Sequence, residues 1–297
     1  MEKNTVHIPV LLDESIDLMG LESSKIVLDA TLGFSGHASK MLDILGEEAQ
    51  FFGIDQDPVA LEFSQKRIGG DPRVTIIEGN YGDLASLAED HNIGPIDACL
   101  VDCGLSSVQL DSPDRGFSFQ VEGALDMRMS PKTELTAAKI LNTYSLDDLG
   151  RVLTEYGECR SVERFLDVVS DYRNVQPFET VPDLIKCIKK GFYFRNKRAV
   201  YIRTCSQVFQ ALRIEVNQEL MYLESFLDCI LPQMAVGGRC AIITFHSLED
   251  RLVKRFIREN KHQVEPVNKK VIQVSYHQAK KNTRARSAKL RVFKRLA

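Results

Sequence analysis

The stretch Val101-Asp-Cys-Gly-Leu-Ser-Ser107 ends a short apolar run on a carboxylate, followed within two residues by a glycine. A carboxylate so placed can accept hydrogen bonds from an N–H nucleophile or take its proton. Asp102 is therefore the candidate catalytic residue, with a buried structural aspartate as the alternative. Cys103 beside it has no visible base or positive field to make a thiolate, and reads as packing. A second candidate is Asp29-Ala-Thr-Leu-Gly33-Phe-Ser35-Gly36-His37, whose two glycines let the backbone turn tightly against a ligand ahead of a helix N-terminus. It lacks the full G-x-G-x-x-G. That disfavours a dinucleotide and leaves nucleosides such as S-adenosylmethionine, with a plain turn as the other reading.

Asp55 follows Gly33 by 22 residues, near the roughly 20-residue spacing at which an acidic side chain reaches ribose hydroxyls. Asp57 is its rival, but standing before Pro58 it fits a helix cap better. Tyr81, after Asn80, is either a ring beside an adenine or a tyrosine at the edge of the core. In Phe245-His-Ser-Leu-Glu-Asp-Arg251, Ser247 is a natural cap, and Glu249 and Asp250 suit a first helical turn. Capping leaves His246 unexplained. The seven cysteines are scattered without a C-x-x-C pair, and no histidine stands at zinc-ligand spacing, so neither a metal site nor a disulfide framework is expected.

These residues need strand ends to hold them. Lys25–Gly33, Phe51–Asp57, Val74–Asn80 and Pro95–Gly104 each read as a buried strand, with helical patterns over 38–45 and 83–89 and a helix opened by Pro58. Alternating strands and helices predict an α/β fold with a doubly wound, mainly parallel sheet, whose ligands lie at the carboxyl ends. From 106 to 202 the rhythm breaks into helical stretches, among them 136–141, 146–156 and 161–169. One long amphipathic helix is predicted over 207–231, a strand over 237–245 and a helix over 247–260, with candidate final strands at 271–277 and 290–296. The expected division is a catalytic domain of residues 1–110 and 206–297, interrupted by a helical substrate-recognition domain of 111–205.

The composition, 44% hydrophobic and 27% charged over 297 residues, excludes disorder as the main state. No apolar run approaches the roughly 18 residues of a membrane span and no secretory pattern opens the chain, so a cytoplasmic protein is expected. The formal net charge of -3 is an average over unlike parts. Leu184–Ile214 holds eight basic residues and Pro266–Ala297 ten, neither with an acid, leaving 20 basic residues against all 41 acidic ones elsewhere. Two such stretches, the first interleaved with Phe192, Tyr193, Phe194 and Tyr201, favour a polyanionic partner over merely solvated faces.

The strings His7-Ile-Pro-Val-Leu-Leu-Asp-Glu14, Asp29–His37, Gly53-Ile-Asp-Gln-Asp57, Asp102–Asp111, Arg115-Gly-Phe-Ser-Phe119, Leu125-Asp-Met-Arg-Met129, Phe209-Gln-Ala-Leu-Arg-Ile214, Phe245–Arg251 and Arg284-Ala-Arg-Ser-Ala-Lys-Leu-Arg291 resemble the RsmH (MraW) family of ribosomal RNA small-subunit methyltransferases, nearly end to end. The resemblance implies a class I (Rossmann-like) methyltransferase fold with an inserted helical domain. It implies S-adenosylmethionine as cofactor, 16S rRNA of the small ribosomal subunit as partner, and N4-methylation of its cytidine 1402 as reaction. Carried onto this chain, the cofactor contacts are Ser35, Gly36, His37, Asp55, Tyr81, Asp102 and Gln109. Ser35 stands where the family usually has glycine, Tyr81 where it has phenylalanine and Cys103 where it has leucine. Arg203-Thr-Cys-Ser-Gln-Val208 departs from the family's pattern, so no substrate contact is carried over there. The competing classes are a methyltransferase acting on another substrate and a non-catalytic nucleoside-binding ribosome-assembly factor.

Overall fold

The computed structural model describes residues 9–195 and 197–296, so His7 and Ile8 of the first family-like string lie outside the described residues. The chain forms two compact units, Met1–Gly104 with Leu220–Ala297, and Leu105–Glu219.

The first unit is built on an eight-stranded sheet: β1 Ile26–Asp29, β2 Gln50–Asp55, β3 Val74–Glu78, β4 Ile96–Asp102, β5 Met234–Thr244, β6 Val264–Pro266, β7 Ile272–Gln273 and β8 Lys289–Arg295. Its order is β3-β2-β1-β4-β5-β8-β6, with β7 also pairing β8. The five strands β3 to β5 run parallel, and β8 returns antiparallel to β5. Alternation along the strands feeds two cores, one on each face. Val27, Phe51, Ala98, Leu100 and Ile243 enter one, while Leu28, Phe52, Cys99, Val101 and Ile242 enter the other. A sheet covered on both faces needs apolar residues at nearly every strand position, as these strands have. The order reverses between β1 and β4, the switch point at which such sheets bind ligands.

Between strands the local signals hold. Pro58 opens the helix Pro58–Ile68 at a position needing no backbone donor, and Asp57 caps it by accepting from the Val59 N–H at 3.1 Å.

The second unit is helical, with Ala137–Thr143, Leu146–Glu155, Glu163–Val175, Val181–Gly191 and Arg198–Asn217 as its main helices. Its core gathers Leu149, Phe165, Leu184, Val208 and Leu212. The unit is wider than the expected 111–205. Its lower limit is Leu105, and it runs on to Glu219 because Val208, Phe209, Leu212 and Val216 all enter its core.

Two elements differ from expectation. The single helix predicted over 207–231 is two helices, Arg198–Asn217 and Glu219–Gln233, broken at Gln218 with φ 51°. Asn217 fixes the break: its Nδ2 donates to Met127 O and its Oδ1 accepts from the Met129 N–H, holding the helix end to the 127–129 segment. The strand predicted over 271–277 is confined to β7, because Ser275 caps a helix, Tyr276–Lys281, and ends the extended run. Among the described residues, no helix is long and apolar enough to cross a membrane.

Candidate functional site

Three neighbouring strands, β2, β1 and β4, finish on an aspartate at the carboxyl edge of the sheet: Asp55, Asp29 and Asp102. The edge is knitted by the backbone continuing past the strands. Ala30 N donates to Leu100 O, Leu32 N to Ile54 O, and Cys103 N to Ile243 O. The Asp102 N–H donates to Thr31 Oγ1 at 2.7 Å, tying the end of β4 to the turn after β1.

Asp102 is half-buried, and its Oδ1 accepts from the Gly104 N–H at 2.9 Å. Gly104 has no room for a side chain: a Cβ there would stand 2.7 Å from the Phe245 ring and 2.9 Å from Asp102 Oδ1. Burial raises Asp102 to about 7 against the opposing Gly104 hydrogen bond, with a smaller push from the Glu249 carboxylate. Burial likewise takes Asp29 to about 7, with Asp102 and Asp55 adding like charge, and Asp55 to about 6. Among the described residues none of the three carries a lysine or arginine ion pair. An edge holding three carboxylates that resist ionisation suits a ligand bringing positive charge and hydroxyl donors.

Asp55 already orders the loops beside it. Its Oδ2 accepts from the Gly33 N–H at 2.7 Å and its Oδ1 from the Asp57 N–H at 2.8 Å. In the first loop Ser35 is buried in the left-handed conformation, φ 57°. Its hydroxyl hydrogen-bonds Ser64 Oγ, which in turn donates to Gly33 O at 2.8 Å. The side chain that replaces the expected glycine is thus accommodated by the helix Pro58–Ile68. Gly36 lies against Pro9, where a Cβ would come within 2.4 Å of Cγ. His37 is buried, with Nε2 3.2 Å from Val10 O. Tyr81 is half-buried, edge-on to Phe226 at 5.8 Å. Gln109 lies in the helical unit, closing a capping box: the Ser106 N–H donates to its Oε1 at 3.0 Å and its own N–H donates to Ser106 Oγ at 3.1 Å.

The structure places Gly33, Ser35, Gly36, His37, Asp55, Tyr81 and Asp102 in one unit, at the last residues of β2 and β4 or in the turns and first helical turn that follow the carboxyl ends of β1 and β3. Gln109 belongs to the other. Sequence reasoning named Asp29 and Thr31 only as parts of a loop. The signal available for them was their place at a strand end, and Ser64, two turns into the next helix, offered none. His246 is the N-cap that sequence reasoning assigned to Ser247. Its Nδ1 accepts from the Glu249 N–H at 3.4 Å and its Nε2 lies 2.9 Å from Glu249 Oε1, while Glu249 Oε2 accepts from the Phe245 and His246 N–H groups.

The two cation-rich stretches fare differently. In the helical unit, Lys186, Lys189, Lys190, Arg195, Lys197, Arg198 and Arg203 are exposed. In the sheet-bearing unit, Lys289 and Arg291 both pair with Asp250, at 3.0 and 2.8 Å, and Lys294 pairs with Glu265. Part of that second charge is structural.

A doubly wound sheet reversing between β1 and β4, with acidic strand ends and a glycine-bearing turn at the reversal, defines a nucleoside-binding α/β protein of the class I methyltransferase kind. The chain belongs to the MraW methylase family, whose model matches residues 4–296. Its relatives include three proteins named ribosomal RNA small subunit methyltransferase H. That of Dictyoglomus thermophilum is 40% identical over 99% of this chain and 98% of its own. That of Deinococcus deserti is 39% identical over 99% and 95%, and that of Bacteroides thetaiotaomicron 38% identical over 98% and 99%.

Proposed function

We propose that this protein transfers a methyl group from S-adenosylmethionine to the exocyclic N4 of a cytidine in 16S rRNA, cytidine 1402 by family resemblance. The observation that carries the reading is the row Asp55, Asp29 and Asp102 at the switch point, in a chain that is 38–40% identical to small-subunit rRNA methyltransferases.

The residues fit the cofactor. Three carboxylates that have no cationic partner among the described residues match a ligand carrying an ammonium, a sulfonium and ribose hydroxyls, and Gly36 and Gly104 keep their own positions beside them free of side chains. Asp55 is the ribose acceptor, Tyr81 flanks the adenine, and Asp102 faces the methionine end and the reacting base. When bound, S-adenosylmethionine supplies an electrophilic methyl on sulfur. We assign Ser35, Gly36, His37 and Gln109 supporting contacts to the same ligand.

The cytosine amine is a weak nucleophile because its lone pair is delocalised into the ring. Asp102, as carboxylate, accepts a hydrogen bond from the amine, stabilises the positive charge that develops on nitrogen, and is placed to take the proton. A base must be unstacked to reach such an edge. The exposed cations of Leu184–Ile214 hold the flanking phosphates while it does so.

The test is methyl transfer from labelled S-adenosylmethionine to small-subunit rRNA, free and within immature or complete small subunits, followed by nucleoside mass spectrometry. Label in N4-methylcytidine is expected. Label in another nucleoside would correct the target atom, and no transfer to any of these RNAs would remove the reading.

A further inference from the structure

The chain has eight tyrosines and no tryptophan. Six of the tyrosines are at least half-buried. The other two, Tyr193 and Tyr276, are each 78% exposed, and each falls inside one of the two acid-free basic stretches.

Their neighbours show that this exposure is particular to them. Of the five aromatic residues in the first stretch, Phe192 stacks on Phe165 at 5.0 Å, Phe194 meets Tyr201 edge-on at 5.2 Å, and Phe209 meets Phe119 edge-on at 5.8 Å. Lys189 sits over the Tyr201 ring. Tyr193, between two rings that pack inward, is left outside with Lys189, Lys190, Arg195 and Lys197 close along the chain. Tyr276 opens a short helix and, among the described residues, meets one aromatic ring, that of His277. Lys280, Arg284 and Arg286 follow on the same excursion and are exposed. That excursion leaves the sheet from β7, which pairs with Leu290 and Lys289 of β8, and Lys289 lies opposite Thr244 at the carboxyl end of β5. It is therefore at the edge of the sheet where β4 ends in Asp102.

A large ring held in water costs apolar hydration, and cations beside it repel one another. The two together suit a partner that brings π-faces and phosphates in alternation, which is unpaired nucleic acid. We propose that Tyr193 and Tyr276 are stacking platforms for unpaired bases of the RNA, one on each unit, with the adjoining lysines and arginines on its phosphates. This rests on the RNA reading above and adds to it the form recognised, a single strand rather than a duplex.

The absence of tryptophan makes a direct probe available. In Y193W and Y276W, each carrying the only indole of its chain, a short unstructured oligoribonucleotide of mixed C and A is expected to quench emission, and a blunt RNA duplex of equal length to leave it unchanged. Y193A and Y276A should each weaken oligonucleotide binding about 5- to 100-fold at unaltered salt slope, with Tyr→Phe close to wild type. Replacing Lys189, Lys190 and Lys197 by glutamine should instead flatten the salt slope. If wild type binds and the glutamine variant loses slope, but the indoles are not quenched and the alanine variants bind normally, stacking is wrong and the RNA reading stands. If wild type binds neither the oligonucleotide nor a small-subunit rRNA fragment, both fall together. Unchanged melting temperatures confirm that the variants are folded.

Discussion

In the proposed reaction Asp102 must meet two demands that pull against each other, a water-poor site in which its attraction for a developing cation is strong, and ionisation when the amine arrives. Burial resolves this unfavourably for the charge, holding the carboxyl up to about 7. The rate of methyl transfer should therefore rise with pH through about 7 and level off above, since the ionised form is the acceptor. D102N keeps the shape and loses the charge. Its turnover is expected to fall about 10²- to 10⁴-fold, with cofactor affinity, read by calorimetry, changed far less and the pH dependence gone. Equal loss of affinity and turnover would make Asp102 an anchor for the ligand instead. Gly104 sets the second constraint at this scale. In G104A the methyl would be forced against the Phe245 ring and Asp102 Oδ1 at under 3 Å, and overpacking of this kind costs about 1–3 kcal/mol. A drop in melting temperature together with reduced turnover is expected, and a fully active G104A would show that the strand end is looser than its contacts indicate.

At the scale of elements, the helix Ser247–Glu259 reaches Asp102 through its first turn. Glu249 closes the capping box with Oε2 on two backbone N–H groups, and its charge adds to what raises Asp102. E249Q keeps an oxygen for the cap and removes the charge. The pH profile of methyl transfer should move to lower pH with little change in melting temperature. E249A should lose about 1 kcal/mol or more as well, through the cap. A profile that stays in place in E249Q would uncouple the two carboxylates. The strands were legible because a sheet buried on both faces must be written in apolar runs, and the runs of β1, β2 and β4 each carry the aspartate on which the strand ends. Asp57 as a cap was legible for the same local reason. What was not legible depends on partners distant in the chain. Ser35 finds Ser64 across a loop and a helix, and Asn217 ends a helix by bonding residues 127 and 129. The cap at His246 was missed because serine is the commoner cap residue, and the imidazole nitrogen took the role one residue earlier.

Over the whole molecule, charge placed by the sequence is redistributed by the fold. The C-terminal stretch looked like ten available cations, yet Lys289 and Arg291 share Asp250, Lys294 pairs with Glu265 and Arg295 donates to Met234 O. Exposed cations that a polyanion could meet include Lys280 and Arg286 in the excursion before β8 and those of the helical unit.

The carboxylates redistribute stability in the same way. Asp29 and Asp102 are held at about 7 and Asp55 at about 6, all above the ordinary 3.8. The folded protein thus binds more protons than the unfolded chain between about pH 4 and 7. Their contribution is fully present below about pH 4 and is lost as pH rises through 6 to 7. Asp71, pushed down to about 2 chiefly by its hydrogen bonds from Arg73, works the other way. Its contribution is present above about pH 4 and lost as pH falls. Asp250, lowered by Lys289 and Arg291, acts in the same sense. The ligand-free protein should therefore be most stable near pH 4 to 5 and lose on the order of a few kcal/mol by about pH 7.5, with part of it restored in D29N, which removes one of the three carboxyls. A cationic ligand reverses the trend, because it pairs with the ionised carboxylates and releases their protons. The rise in melting temperature given by S-adenosylmethionine should grow with pH through 6 to 7, and calorimetry in buffers of different ionisation enthalpy should detect proton release on binding. A ligand-free melting temperature that is flat or rising over this range would mean that the row of aspartates is solvated, and that the edge of the sheet was not built to wait for a positive charge.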